Sequence, residues 1–187
     1  VSASALERNL YLTTELIELE KPMVVALNMY DELEKSGRLF NHQTLSEMLN
    51  VPIVPTVGKK GLGIPELLEN VISIYESGNN SHNVKVPYGR VLEKSIGFMC
   101  RDLLSNGFST LGMPKRYVGI KLLEGDKEVE NAIREHDKGK ELLARRNKER
   151  EYIERLLKED QESAVTNARY GFIAGALKET LSEKTKL

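Results

Sequence analysis

Asn28 and Asp31 stand three residues apart, just beyond the apolar run Pro22-Met-Val-Val-Ala-Leu27. An aspartate at the tip of such a strand is a paired acceptor. Its two oxygens can take parallel hydrogen bonds from the ring N–H and the exocyclic amine of guanine. Adenine offers no such donor pair, so the wrong base would leave a desolvated carboxylate unpaired, and a site built on a polar partner rejects that mismatch strongly. Asn28 both donates and accepts through its amide, and would tie its loop to neighbouring backbone. By itself Asn-x-x-Asp is a weak signal, since average usage yields it roughly 0.4 times in a chain this long. A plain turn after a strand, where Asn and Asp are favoured anyway, is the competing explanation.

A second loop at the expected distance supports the first. Val51-Pro-Ile-Val-Pro-Thr56 is another short apolar run, followed by Val57-Gly58-Lys59-Lys60-Gly61-Leu62-Gly63. In GTP-binding domains of the phosphate-loop class the last guanine loop lies about here, and a backbone N–H at its centre meets the base carbonyl. Gly58 suits that role because bulk near its Cα is absent. The candidate nucleotide contacts are therefore Asn28 and Asp31 in the first loop, with Met29 and Tyr30 between them, and Gly58 in the second, between Val57 and Lys59. A Gly/Lys-rich strand-to-helix loop without function is the alternative. No Gly-x-x-x-x-Gly-Lys-Ser/Thr occurs in the sequence, and Gly58-x-x-Gly61-x-Gly63 has the wrong spacing for a dinucleotide fingerprint.

The elements needed to position these loops follow from periodicity. Ser4-Ala-Leu-Glu7 reads as a capping box opening a helix with Leu6, Leu10, Thr13 and Ile17 on one stripe, widened by Leu12, Leu16 and Leu19. Nothing ahead of that helix reads as an element, so Val1–Ser4 suggests an internal portion of a longer protein. Met23–Leu27 is apolar at successive positions, as a parallel strand covered on both faces would be. Asp31–Lys35 continues as a short helix broken at Gly37. Thr44-Leu-Ser-Glu47 reads as a second capping box, for a helix carrying Leu45, Met48 and Leu49. Pro65 suits the first turn of a helix whose apolar face holds Leu67, Leu68, Val71, Ile72 and Tyr75. Ser77–Asn83 is polar, small and aperiodic, and strand–helix alternation stops there. Helices are then expected over Val86–Leu104, Lys115–Leu123, Asp126–Glu135 and one long stretch, Lys140–Leu181. The mixed-sign run Arg145–Arg150 reads as a solvated helix face. The expected organisation is an α/β half with parallel strands and flanking helices over 1–78, a linker over 79–85, and an all-α domain over 86–187.

Bulk properties narrow the function classes. The chain has 187 residues, 40% hydrophobic and 29% charged, enough for one globular domain or two small ones. A net charge of -1 argues against a general nucleic-acid binder. One cysteine, Cys100, precludes an internal disulfide and suits a reducing compartment, its expected state being a small buried hydrophobe on a helix. His42, His82 and His136 stand apart near loops with no metal-ligand spacing, and are expected at the surface. No apolar run approaches the roughly 20 residues that span a bilayer, and no signal peptide is present.

Several phrases then resemble one family. Ala3-Ser-Ala-Leu-Glu-Arg-Asn-Leu-Tyr-Leu-Thr-Thr14, Val24-Val-Ala-Leu-Asn-Met-Tyr-Asp31 and Val54-Pro-Thr56 are similar to the GTPase domain of FeoB, ferrous iron transport protein B. Arg116-Tyr-Val-Gly-Ile-Lys-Leu-Leu-Glu-Gly-Asp126 and Ala168-Arg-Tyr-Gly-Phe-Ile-Ala174 are similar to the helical domain that follows it. The resemblance implies a partial phosphate-loop GTPase fold, GTP and GDP as ligands, and a membrane-embedded Fe(II) permease part in the same parent chain. It places this portion at the cytoplasmic face of the membrane. It also implies that the phosphate loop, the first switch and the Asp-x-x-Gly box lie before Val1, together with the ligands for Mg2+. This portion alone is therefore not expected to hydrolyse GTP, since phosphoryl transfer needs those groups. Met29 stands where GTPases generally carry Lys, and Val57-Gly58 replaces a Ser-Ala pair, which implies weak nucleotide affinity and fast GDP release. Ser2 occupies a position where the family usually has Asp. Two further functions stay open at this stage: a non-catalytic module transmitting nucleotide state to a membrane partner, and an unrelated α/β nucleotide-binding protein. Self-association is not readable from these residues.

Overall fold

In a computed structural model the chain is described over residues 1–78, 84–108, 110 and 112–183. Two units result, one formed by Val1–Lys85 with the residues from Tyr170 on, the other by Val86–Arg169. Part of the expected linker and His82 lie outside the described residues.

In the first unit a 3-10 turn over Ala3–Ala5 feeds helix α1, Leu6–Glu18. Ser4 therefore sits inside that turn, its hydroxyl 2.8 Å from Ser2 Oγ, and no side chain caps α1. The expected capping box does not form. The buried stripe of α1 is Leu6, Leu10 and Ile17 with Thr13 and Thr14, whose hydroxyls donate to the carbonyls of Asn9 and Tyr11. Leu12 and Leu16 face out, so the stripe is narrower than the apolar pattern suggests. Strand β1, Val25–Leu27, pairs in parallel with β3, Ile53–Pro55, in the register Val25 to Ile53 and Leu27 to Pro55.

The other edge of β1 is occupied as well. Asn28 N donates to Val1 O, Ala3 N to Asn28 O, and the Val1 nitrogen to Ala26 O. Odd-numbered residues of β1 thus bond to the β3 side while even-numbered ones bond to residues 1–3, the alternation of a strand flanked on both edges. Residues 1–3, which do not read as an element from the sequence, supply this edge.

Short helix α2 covers Tyr30–Lys35 and leads through Gly37, at φ 76°, into strand β2, Arg38–Phe40. Helix α3, His42–Leu49, is capped by Asn41, whose side chain accepts from Thr44 N at 3.0 Å. Thr44 therefore lies in the first turn of α3 rather than capping it as expected. Helix α4, Ile64–Ser77, begins with Pro65 near its start, as expected, yet buries none of its residues. Leu68 is 55% exposed and Tyr75 87%. The unit is completed from the far end of the sequence. Ile173 and Ala176 join Leu10, Ile17, Leu27 and Leu45 in one core, and Tyr170 stacks on Tyr11 at 5.0 Å between ring centroids.

The second unit is helical: α5 over Gly89–Ser105, α6 over Lys115–Glu124, α7 over Lys127–Arg134, α8 over Gly139–Leu157, and the beginning of α9, Gln161–Thr180. Asp126 caps α7 through the amides of Glu128 and Val129. Gly119 lets α6 approach α5 closely, since a Cβ there would lie 3.1 Å from Met99 Cβ. The single long helix expected over Lys140–Leu181 is broken. Lys158 adopts φ 62° and ends α8, and Asp160 accepts from both the amide and the hydroxyl of Ser163 to start α9. Those same bonds hold the Asp160 carboxyl below its ordinary range.

The run Arg145–Arg150 is not a fully solvated face. Arg146 and Glu149 are buried, Arg146 paired with Glu130 and the Leu122 carbonyl, Glu149 accepting from Ser95 Oγ at 2.8 Å. Arg169 is 0% exposed and bonds Glu124 Oε1 at 2.6 Å and the Tyr88 hydroxyl at 2.9 Å. One step later α9 passes to the first unit, where Leu181–Glu183 (β4) pairs antiparallel with β2. By packing, the residues from Tyr170 on join the α/β unit, whereas the expected helical domain runs over 86–187. Their apolar side chains complete the α1 and β1 core. Cys100 is half-buried on α5. His42 and His136 are half-buried rather than superficial, each against an aromatic ring, Tyr30 and Phe108.

The loop after β3 depends on Gly63. Its φ is +77°, and a Cβ at that position would lie 2.1 Å from the Pro55 carbonyl oxygen. Gly63→Ala should destabilise the chain by about 1–3 kcal/mol through left-handed strain and displacement of β3. Urea unfolding monitored by circular dichroism measures this, and an unchanged midpoint would contradict it.

Candidate guanine-reading site

Both candidate loops leave the carboxyl ends of β1 and β3, the end at which open parallel sheets bind ligands. They are joined there by three hydrogen bonds. Thr56 N donates to Leu27 O at 2.9 Å, Tyr30 N to Thr56 O at 3.2 Å, and Gly58 N to Asn28 Oδ1 at 3.0 Å. The last is the link expected of Asn28, but it uses the Gly58 N–H that the sequence pattern gives to the base carbonyl, so that expectation is corrected. A Cβ on Gly58 would meet the Asn28 amide at 3.5 Å, an ordinary van der Waals contact. A methyl group therefore fits at this position, and the need for glycine is looser than the sequence pattern suggests.

Met29 adopts φ 61° and ψ 33°, left-handed for a side chain with a Cβ, and it forms the N-cap of α2. Such conformations persist where the surroundings enforce them. Here the preceding residue is held by the Val1–Ala3 edge and the following one by Thr56. The Met29 thioether accepts a hydrogen bond of 3.5 Å from Ser2 Oγ. Ser2, unexplained from sequence, thus touches the first loop directly. Tyr30 takes a different direction. Its ring is half-buried edge-on to His42, and its hydroxyl donates to Phe40 O at 3.2 Å. Burial, aided by the Glu34 charge, pushes the phenol above its ordinary range. Tyr30 serves the site through its backbone and by bracing α2 against β2.

Asp31 lies in the first turn of α2, 24% exposed at its side chain. Its Oδ2 receives Lys60 Nζ at 3.3 Å and Lys35 Nζ at 3.6 Å. Partial desolvation pushes its carboxyl up, but the hydrogen bond and charge of Lys60, with Lys35 behind it, prevail and hold it below its ordinary value. Lys60 comes from the second loop, where Gly58–Lys60 forms a single 3-10 turn. That loop is closed on itself by Val57 N to Leu62 O at 3.0 Å and Lys60 N to Val57 O at 2.9 Å. Val57 is half-buried at its base and Lys59 is exposed beside Lys60. The sequence pairs Lys59 with Lys60 but cannot say which of them faces Asp31. The turn geometry selects Lys60.

Two outcomes follow. Asn28→Ala removes the acceptor of the Gly58 amide and should weaken the loop contact by about 1 kcal/mol. Hydrogen exchange at Gly58 should accelerate while that of β1 stays unchanged. The Asp31 carboxyl, depressed in the folded chain, lends stability that is present above the unfolded value of about 3.9 and lost as pH falls through the lower folded value. Its carbon-13 titration should have a midpoint below that of an unfolded-state aspartate, and a midpoint above it would contradict the pairing with Lys60.

Both halves of the chain match known proteins. Residues 1–71 match the family model described as ferrous iron transport protein B, and residues 88–182 match the FeoB cytosolic helical domain. The Fe(2+) transport protein A/Fe(2+) transporter FeoB fusion protein of Porphyromonas gingivalis is 44% identical over 189 residues, covering 100% of this chain. The Fe(2+) transporter FeoB of Salmonella typhi is 39% identical over 129 residues, or 67% of this chain. The chain spans 22% of the length of the first relative and 16% of the second. Among solved structures, a GDP-bound serine variant of the S. thermophilus FeoB G-domain superposes with a TM-score of 0.83 at 32% identity, covering 97% of this chain and 67% of that one. The cytosolic domain of L. pneumophila FeoB gives 0.75 at 25% identity over 98% of this chain and 66% of that one. With a parallel pair carrying the two loops and a helical unit after it, each matched by its own family model, the chain belongs to the ferrous iron transport protein B family.

Proposed function

We propose that this chain is the base-reading portion of a GTPase that serves ferrous iron transport, joined to its helical coupling unit. The observation that carries the reading is the 3.0 Å bond from Gly58 N to Asn28 Oδ1. It brings the second loop to the first beside the Asp31 carboxylate. In this reading Asp31 accepts the ring N–H and exocyclic amine of guanine, and Asn28 braces the two loops. Gly58, flanked by Val57 and Lys59, spends its one N–H on Asn28 and so holds the second loop against the first, and Met29 lies at the rim. Tyr30 holds Asp31 in place through its own amide and ring contacts. Relatives described as GDP-bound and as bound to GDP.AlF4- and K+ support guanine nucleotide as the ligand.

The residues present do not fit Mg2+. Among the described residues no group of three His, Cys, Asp or Glu side chains could hold a metal ion. The catalytic half of the reaction is assigned to a longer parent protein, and this chain contributes recognition rather than phosphoryl transfer. Among the described residues no helix is long and apolar enough to cross a membrane. Passage of Fe(II) is accordingly assigned to other parts of the parent. The uncovered apolar face of α4 fits the same view, as a surface that further GTPase residues would cover.

A second role is favoured by α9, which belongs to both units. A helix shared in this way suits transmission of nucleotide state to the membrane part, and it complements base reading without replacing it. The reading is tested in the parent protein with Asp31→Asn. GDP binding should weaken by about 2–4 kcal/mol, from loss of a charged acceptor, while xanthosine diphosphate binding strengthens. Equal preference for guanine before and after the change would refute it.

A further inference from the structure

The acceptor proposed to read guanine is already engaged by a cation from the opposite loop, and that arrangement has a functional meaning. We propose that the Lys60 ammonium is an internal competitor of the guanine edge for Asp31, so that the protein sets its own nucleotide affinity and release rate through this ion pair. The inference rests on the base-reading assignment of the preceding section.

The geometry distinguishes Lys60 from Lys35, although both contact Asp31 Oδ2. Lys35 lies one helical turn after Asp31 on α2 itself and is 75% exposed at its side chain. It can stay beside the carboxylate from the solvent side when a ligand arrives, as any i,i+4 pair on a helix can. Lys60 comes from the other side. It belongs to the same 3-10 turn as Gly58, whose amide ties the second loop to Asn28. Its ammonium therefore bridges the two loops between which the edge of the base must enter. Both the base and Lys60 would bring N–H donors to one carboxylate from the side of the second loop, so they contend for the same approach. The loop cannot move its backbone away easily, because Val57 N to Leu62 O and Gly58 N to Asn28 Oδ1 hold it in place. The side chain can leave by rotation, since it is 57% exposed. The result is a pair weak enough to open and local enough to compete.

An exposed pair of this kind is weak, so its removal should tighten GDP binding about 2- to 5-fold. The experiment uses the parent protein with its phosphate loop, a fluorescent GDP analogue, and dissociation rates measured by chase. Lys60→Met should slow release and lower Kd by that factor, whereas Lys60→Arg, which keeps the cation, should stay near the unmodified protein. In an Asp31→Asn background, measured with xanthosine diphosphate, Lys60→Met should have no effect, since the amide no longer holds the lysine by charge. Unchanged or weakened GDP binding by Lys60→Met overturns the proposal. So does equal tightening in the Asp31→Asn background, which would locate the effect in the loop and not in the carboxylate. If Asp31→Asn fails to shift preference towards xanthine, base reading itself falls and this inference with it. That result is distinct from an inert Lys60→Met in a protein whose Asp31→Asn does switch.

Discussion

The bond between Gly58 N and Asn28 Oδ1 is the interaction on which the candidate site depends. Without it the loops after β1 and β3 would be joined by the strand ladder and the Tyr30 to Thr56 contact, both set back from the tips, and by the exchangeable Lys60 to Asp31 pair. With it, a side-chain amide substitutes for the backbone pairing that ends with the strands. Asn serves here because its oxygen accepts from Gly58 while its backbone still pairs with Val1 and Ala3. The left-handed Met29 follows from that double engagement. A residue held between an edge-bonded Asn28 and a Tyr30 tied to Thr56 has little backbone freedom.

Charge plays opposite parts in the two units. In the helical unit it is sequestered. Arg169 reaches Glu124 and the Tyr88 hydroxyl at a fully buried position, and Arg116 grips Glu93 through both of its terminal nitrogens. The first is costly to break singly, because Glu124 would be left largely buried with its charge, whereas Glu93 stays partly open to solvent. Both pairs add specificity to a bundle whose other contacts are aliphatic and interchangeable. At the loops of the α/β unit the charges are half-exposed, weakly paired and easily exchanged, as a ligand site requires.

Much of this architecture was legible from residue order. Parallel β1 and β3, the two loops, the helical second half and the tie made by Asn28 all follow from apolar runs and spacing. What escaped has identifiable causes. The capping boxes at Ser4 and Thr44 fit the local pattern, but a 3-10 turn absorbed the first and Asn41 captured the second. β2 and β4 are three residues each, too short for any alternation to register, and their pairing joins Arg38–Phe40 to Leu181–Glu183. The buried arginines looked like solvent-facing ones, because burial of a charge is decided by a partner far away in sequence. Lys60 was indistinguishable from Lys59 until the turn fixed its direction.

The shared helix α9 has a consequence for how the protein is made. Residues up to Lys85 leave the ribosome first, yet the core they form includes Ile173 and Ala176. The α/β unit therefore cannot close while the helical unit is still being synthesised, contrary to the usual order in which amino-terminal domains mature first. The intervening helices can settle among themselves in the meantime, and α9 then delivers the missing wall. Vectorial synthesis thus leaves the α/β unit of this chain unfinished until α9 has emerged, so an interrupted product would lack one wall of that core even though both loops are present.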